Sequence, residues 1–169
     1  MITNRFIEGF NKKITVEGLN LITEFFIIFS RFEYALKKSN FANYNNNGPV
    51  LANWDGFVTS IAPSFNYEKN DELKDAVKYL MQYPPRMQVI DNGQLSWRER
   101  VFQTNVPSIN KLCLSIRDIR NNLFHGGKFN GRYERDVSRN YLLLKSSITV
   151  LNDWLGLNKN VRDEFFAAL

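Results

Sequence analysis

The stretch RNNLFHGG, Arg120 to Gly127, holds the only histidine of the chain, with an arginine five positions before it. Arginine is always charged and grips phosphate through two N–H groups at once. Histidine moves a proton near neutral pH. The two together suit cleavage of a phosphodiester. The imidazole of His125 acts on a ribose 2′-hydroxyl or on the leaving oxygen, and the Arg120 guanidinium holds the charge that develops on phosphate. Such chemistry needs no metal. With one cysteine, Cys113, and no obvious cluster of acidic ligands, neither a metal site nor any other cofactor is expected, and no intramolecular disulfide can form. Metal-free RNA cleavage uses an acid and a base, and one histidine supplies only one of them. A homodimer supplies the other, because a two-fold interface sets the same patch of both subunits face to face.

Position on a helix decides whether the pair can meet. On a regular helix residues five apart are about 140° apart and share no face. A helix that ends near Phe124 releases His125 from that path. Gly126 and Gly127 accept left-handed backbone, so the imidazole can swing back toward Arg120. The plainer role of HGG is a helix stop, with glycine past the end and an imidazolium favoured by the dipole; both roles need the same geometry. The surroundings are basic: Lys111, Arg117, Arg120, Lys128, Arg132, Arg135 and Arg139 stand against Asp118, Glu134 and Asp136. A basic rim is the footprint of a nucleic-acid site. Arg117, Lys128, Arg132 and Arg135 are the expected RNA contacts, and Phe124, Phe129 and Tyr133 can stack on unpaired bases.

A second polar feature is SRFEYALKK, Ser30 to Lys38, where Arg31 and Glu33 flank Phe32 in a very apolar segment. Glu33 can pair with Lys37 one turn on. Charges that approach a core stripe need partners, and Arg120 is a candidate partner for Glu33. Arg31 and Glu33 are therefore expected to support the site, with Asn121 beside the arginine.

The elements that position these residues read as helical. Leu19, Ile22, Phe25, Phe26, Phe29, Phe32 and Leu36 advance by threes and fours and predict a helix over Val16 to Lys38. NYNNNGP, Asn43 to Pro49, reads as a surface loop. Shorter helices follow over 53–61, with Asn53 as cap, and over 70–82, stopped by Pro84 and Pro85. Two short runs around Asp91-Asn92-Gly93 predict a hairpin over Met87 to Trp97. A helix from about Pro107 to Phe124 presents Leu112, Ile116, Ile119 and Leu123. Another, from about Arg132 to Leu157, presents Val137, Tyr141, Leu144, Ile148, Leu151 and Leu155. The tail VRDEFFAAL is expected to dock as a final turn or helix. Cys113 reads as a small buried hydrophobe. The result is one domain over 1–169, an all-α antiparallel bundle of four to five main helices with a core over about 15–157 and a small β-hairpin insertion.

Composition agrees with a folded chain: 44% of residues are hydrophobic, and the net charge of +5 favours anionic partners. The opening MITNRFIEGFNKK lacks the apolar run of a secretion signal, and LITEFFIIF is short for a membrane span and contains Glu24. A cytoplasmic location with no membrane partner is expected.

At Arg120-Asn121 and His125 the chain resembles the HEPN superfamily. Its signature is an arginine, four to six residues, then a histidine, often with a polar residue directly after the arginine. RFEYALKKSNF and RNNLFHGGKF together are similar to a pairing in small bacterial HEPN-like proteins. The resemblance spans about Thr15 to Leu157; the Met87–Trp97 hairpin lies outside the basic HEPN bundle. It implies a metal-independent endoribonuclease that works as a dimer and leaves a 2′,3′-cyclic phosphate. It also implies a toxin–antitoxin, abortive-infection or other phage-defence setting, with an antitoxin or neighbouring defence protein as partner. Arg120 and His125 become the catalytic pair and Asn121 a positioning or phosphate-contacting group. Other members of the superfamily are non-catalytic and bind nucleotides or partners, so the alternative is a binding module that regulates a neighbouring enzyme.

Overall fold

A computed structural model describes residues 3–12, 14–44, 48–124 and 137–167, and most of its helices start where a side chain can cap them. A short α1 (Asn4–Asn11), which the sequence pattern does not announce, precedes α2 (Val16–Lys38). Thr15 begins α2 by accepting a hydrogen bond from the Gly18 N–H at 3.1 Å. Glu17 in its first turn and Lys37 and Lys38 in its last complement the helix dipole. Strands β1 (Ala42–Asn43) and β2 (Leu51–Ala52) pair antiparallel and bracket the Asn-rich segment expected to be loop alone.

Helix α3 (Trp54–Ile61) is capped by Asn53, whose Oδ1 accepts from the Gly56 N–H at 2.9 Å, and runs into a 3-10 turn over Ala62–Ser64. Asn70 caps α4 (Asp71–Gln82) in the same way, at 2.8 Å from the Leu73 N–H. The expected hairpin forms as β3 (Met87–Asp91) and β4 (Gln94–Arg98). Its two-residue turn has φ of 48° at Asn92 and 75° at Gly93, the left-handed pair that an Asn-Gly turn supplies. Helix α5 (Ser108–Phe124) is described as far as Phe124. Helix α6 (Val137–Leu157) is described from Val137; its expected first residues, 132–136, and the Gly126-Gly127 stop lie outside the described residues. Asn158 caps α7 (Lys159–Phe166), the helix formed by the tail. The molecule is thus a mostly helical bundle carrying two small antiparallel hairpins.

Helix α4 runs antiparallel to α6: Lys69, just before α4, pairs with Asp153 near the end of α6, while the Tyr79 hydroxyl reaches the Arg139 carbonyl at the start of α6, 3.5 Å away. The core is strongly aromatic. Trp54 stacks on Phe29 and Phe32 with ring centres 5.2 and 5.3 Å apart, and Phe57 meets Trp154 edge to face at 6.3 Å. The buried face of α2 is narrower than its apolar pattern. Phe25, Phe29, Phe32 and Leu36 are enclosed, whereas Leu19 and Phe26 are 41% and 46% exposed. Phe26 lies about 100° round the helix from Phe25, past the edge of the stripe that α6 and α7 cover.

Gly18 is required by a close approach. A Cβ there would overlap the Tyr141 ring and hydroxyl, and that hydroxyl bonds the Thr15 Oγ1 that caps the helix. Gly18→Ala should destabilise the fold by about 1–3 kcal/mol, the usual cost of overpacking. Urea unfolding checks this, and an unchanged midpoint would show that the contact yields freely.

Two ties fasten the β3–β4 hairpin to α5. Arg100, just after β4, makes two hydrogen bonds to the Asp118 carboxylate, one of them 2.9 Å. Asn122, a buried polar residue on α5, donates to the Arg86 carbonyl at 2.7 Å, just before β3.

Candidate functional site around Arg120

The last turns of α5 carry Arg120 onto the side facing α2. Its guanidinium carbon lies 4.6 Å from the Phe124 ring centre and 5.9 Å from that of Phe29. The Phe26 ring sits against Phe124, centres 5.2 Å apart. The spacing explains the group: Phe124 follows Arg120 by one helical turn, and Phe26 and Phe29 lie three apart on α2. Nη1 donates to the Asn121 Oδ1 at 3.1 Å, while the enclosed Nε makes no hydrogen bond to a described residue. Among the described residues no carboxylate pairs with Arg120.

Ring faces therefore hold this arginine, at roughly 0.5–2 kcal/mol per such contact. They position the guanidinium, and no described carboxylate compensates its charge. Phe124 is 50% exposed, so the platform opens to solvent. A phosphate arriving here meets a cation that no described carboxylate pairs, beside rings on which a base can stack.

The other expected site residues divide. Asn121 is beside Arg120. Glu33 is engaged elsewhere: its Oε1 accepts from the Trp54 indole N–H at 3.1 Å, and it forms no ion pair with Arg120 or Lys37. Arg31 turns the other way, donating to the carbonyls of Phe165 at 2.6 Å and Glu164 at 2.8 Å, where it secures the end of α7. The physical reason is reach: both side chains leave α2 toward α3 and α7, and an indole N–H and two terminal helix carbonyls need partners there. The positive charge of Arg117 acts on the Cys113 thiol one turn back. His125, Lys128, Arg132 and Arg135, with Phe129 and Tyr133, lie outside the described residues.

Cys113 is buried, and burial raises its thiol from the ordinary 9.0 to about 12, against the opposing pull of Arg117. A thiol held neutral is a poor nucleophile. Cys113 should resist a maleimide reagent at pH 8 in the native protein and react fully in urea. Fast native labelling would show the site to be open. The sign for stability follows: with the folded value above the unfolded one, the contribution is whole below pH 9 and fades as pH rises toward about 12.

Two further features bound the chemistry. Among the described residues no cluster of three His, Cys, Asp or Glu can hold a metal ion. A recess of about 890 Å³ between α2, α4 and α6 is lined by Glu17, Glu24, Glu72 and Asp153 against Lys69 and Lys145, an excess of negative charge that disfavours phosphate. Among the described residues no helix is long and apolar enough to cross a membrane. No family model matches the chain, and no curated protein or solved structure is significantly similar to it.

Sequence reasoning missed how Arg120 is held. The i, i+4 step to Phe124 was a readable signal; the contributions of Phe26 and Phe29 depend on how α2 packs against α5.

Proposed function

We propose that the chain is a metal-independent endoribonuclease. The observation that carries this reading is Arg120: a guanidinium fixed by aromatic rings, free of any described carboxylate, five positions before the sole histidine. The step is a transesterification. The ribose 2′-hydroxyl loses its proton to a base as its oxygen bonds to phosphorus. The bond from phosphorus to the 5′ oxygen breaks, and that oxygen takes a proton from an acid. The products are a 2′,3′-cyclic phosphate and a 5′-hydroxyl. Arg120 neutralises the charge on phosphate in the transition state, and His125 handles one proton. A second copy of the motif, brought by a homodimer, handles the other.

The resemblance to HEPN ribonucleases supports the wider setting: a cytoplasmic toxin or phage-defence effector, held in check by an antitoxin or a neighbouring defence protein. The test is RNA incubated in EDTA with the parent, Arg120→Ala and His125→Ala proteins, with the product ends identified. Cleavage by the parent alone, leaving a cyclic phosphate, is the expected result. Equal cleavage by all three identifies a contaminant and overturns the proposal. RNA binding without cleavage by any of them makes the chain a non-catalytic binding module.

A further inference from the structure

Three arginines from three separate segments converge beside Pro84. Arg86 precedes β3, Arg100 follows β4, and Arg139 is in the first described turn of α6. With Tyr83, Glu99 and Phe102 they line a cleft of about 450 Å³. Like charges are not brought together without cost, so each arginine's engagement matters. Arg100 is spent on Asp118, through two hydrogen bonds. Arg86 stands 3.6 Å from Glu99, a carboxylate 78% exposed and free to move away. Arg139 donates through Nη2 to the Pro84 carbonyl at 2.9 Å, and among the described residues no carboxylate pairs with it. A guanidinium carries five N–H donors, so among the described residues a single carbonyl leaves most of them available. Three cations thus face Glu99 on the wall and Asp118 behind, with one positive charge in excess. Tyr83 and Phe102 add ring faces at the rim.

We infer that this cleft binds a phosphate of single-stranded RNA, gripped by Arg139 and Arg86, with Tyr83 or Phe102 as a stacking face for the attached base. The inference rests on the ribonuclease reading for its choice of RNA. The placement agrees with that choice. Asn122, bonded to the Arg86 carbonyl, is two positions after Arg120 and about 200° round the same helix. The cleft and Arg120 therefore lie on opposite sides of the last described turn of α5. The cleft holds the strand at a distance from the reacting phosphate; it adds grip, not chemistry.

The test separates binding from cutting. In a His125→Ala background, with EDTA present, a fluorescent 12-nucleotide RNA is titrated by anisotropy across a salt series. Arg86→Gln with Arg139→Gln should weaken binding about tenfold and lower the salt slope by about 1, the share of one phosphate. Lys37→Gln with Lys38→Gln removes the same charge elsewhere and serves as the control. Arg86→Gln alone keeps the test decisive if the double variant fails to fold, since among the described residues its guanidinium pairs only with exposed Glu99. Unchanged affinity and slope overturn the inference, as does an equal loss in the lysine control. Binding of adenosine monophosphate, read by calorimetry, with no binding of RNA overturns it too, because the cleft is then a site for a free nucleotide. Inorganic phosphate should compete only at far higher concentration than RNA. Failure of the parent to cut RNA strikes the ribonuclease reading, and the binding result stands apart from it.

Discussion

Arg120→Ala should lower RNA cleavage by about 10²–10³-fold, the usual loss when a positioned donor to a developing oxyanion is removed, and leave the fold standing. The second half of that expectation makes the first informative. Arg120 forms one hydrogen bond to a described residue, to the adjacent Asn121, and rests on two phenylalanine rings. Losing those contacts costs about 1–2 kcal/mol, a shift of a few degrees in Tm for a chain of this size. A cleavage defect much larger than the stability defect is therefore a statement about chemistry. Arg120→Lys sharpens it, because lysine keeps the charge but loses the planar two-point grip; partial activity should survive. His125→Ala should cost 10²–10⁴-fold, the range for a general acid or base. Single-turnover cleavage in EDTA, read beside a thermal melt, checks all three. Cleavage by Arg120→Ala within twofold of the parent would sink the assignment, and collapse of the melt would make the residue structural.

Phe32→Ala should be the most damaging single truncation in the core, costing about 3–5 kcal/mol. The ring is fully enclosed and packs against Trp54 and Phe57, both at 5.3 Å, and against Phe165 of α7 at 6.4 Å. Removing it opens a cavity at the point where α2, α3 and α7 meet, and rigid aromatic neighbours cannot close it. Domains are stable by only about 5–15 kcal/mol, so a large part of the total is at stake. Phe26→Ala, six positions earlier in the same apolar pattern, should cost under about 1 kcal/mol, because that ring is 46% exposed. Urea midpoints at constant slope measure both. Similar losses for the two would mean that the exposed ring is covered in solution, by a second copy or another partner.

Local signals account for much of the fold. Thr15, Asn53 and Asn70 each satisfy an amide of the helix they begin, so three starts could be read directly. Asn92-Gly93 set the hairpin turn because few other pairs tolerate positive φ at both positions. What could not be read depends on partners distant in sequence. Glu33 finds Trp54 21 positions away, and Arg31 finds Phe165 134 positions away. No periodicity announces either. The two-residue strands β1 and β2 are too short for an alternating pattern to show. At the site, residue types and spacing pointed to Arg120; the rings that hold it became visible only once α2 lay against α5.

The two attachments of the β3–β4 hairpin have a mechanical consequence. A lone hairpin is marginal in water, and a single anchor would leave it able to pivot. This one is fixed at both feet: Arg86 through its carbonyl to Asn122, and Arg100 through its guanidinium to Asp118, the two holding points one turn apart on α5. Two separated points remove translation and every rotation except that about the line joining them. The hairpin is thus a strut whose orientation, that rotation apart, is slaved to α5, and its exposed Ile90 and Leu95 stand at a set offset from the helix that carries Arg120. A load applied at the tip reaches α5 as a torque instead of dissipating in a loose arm.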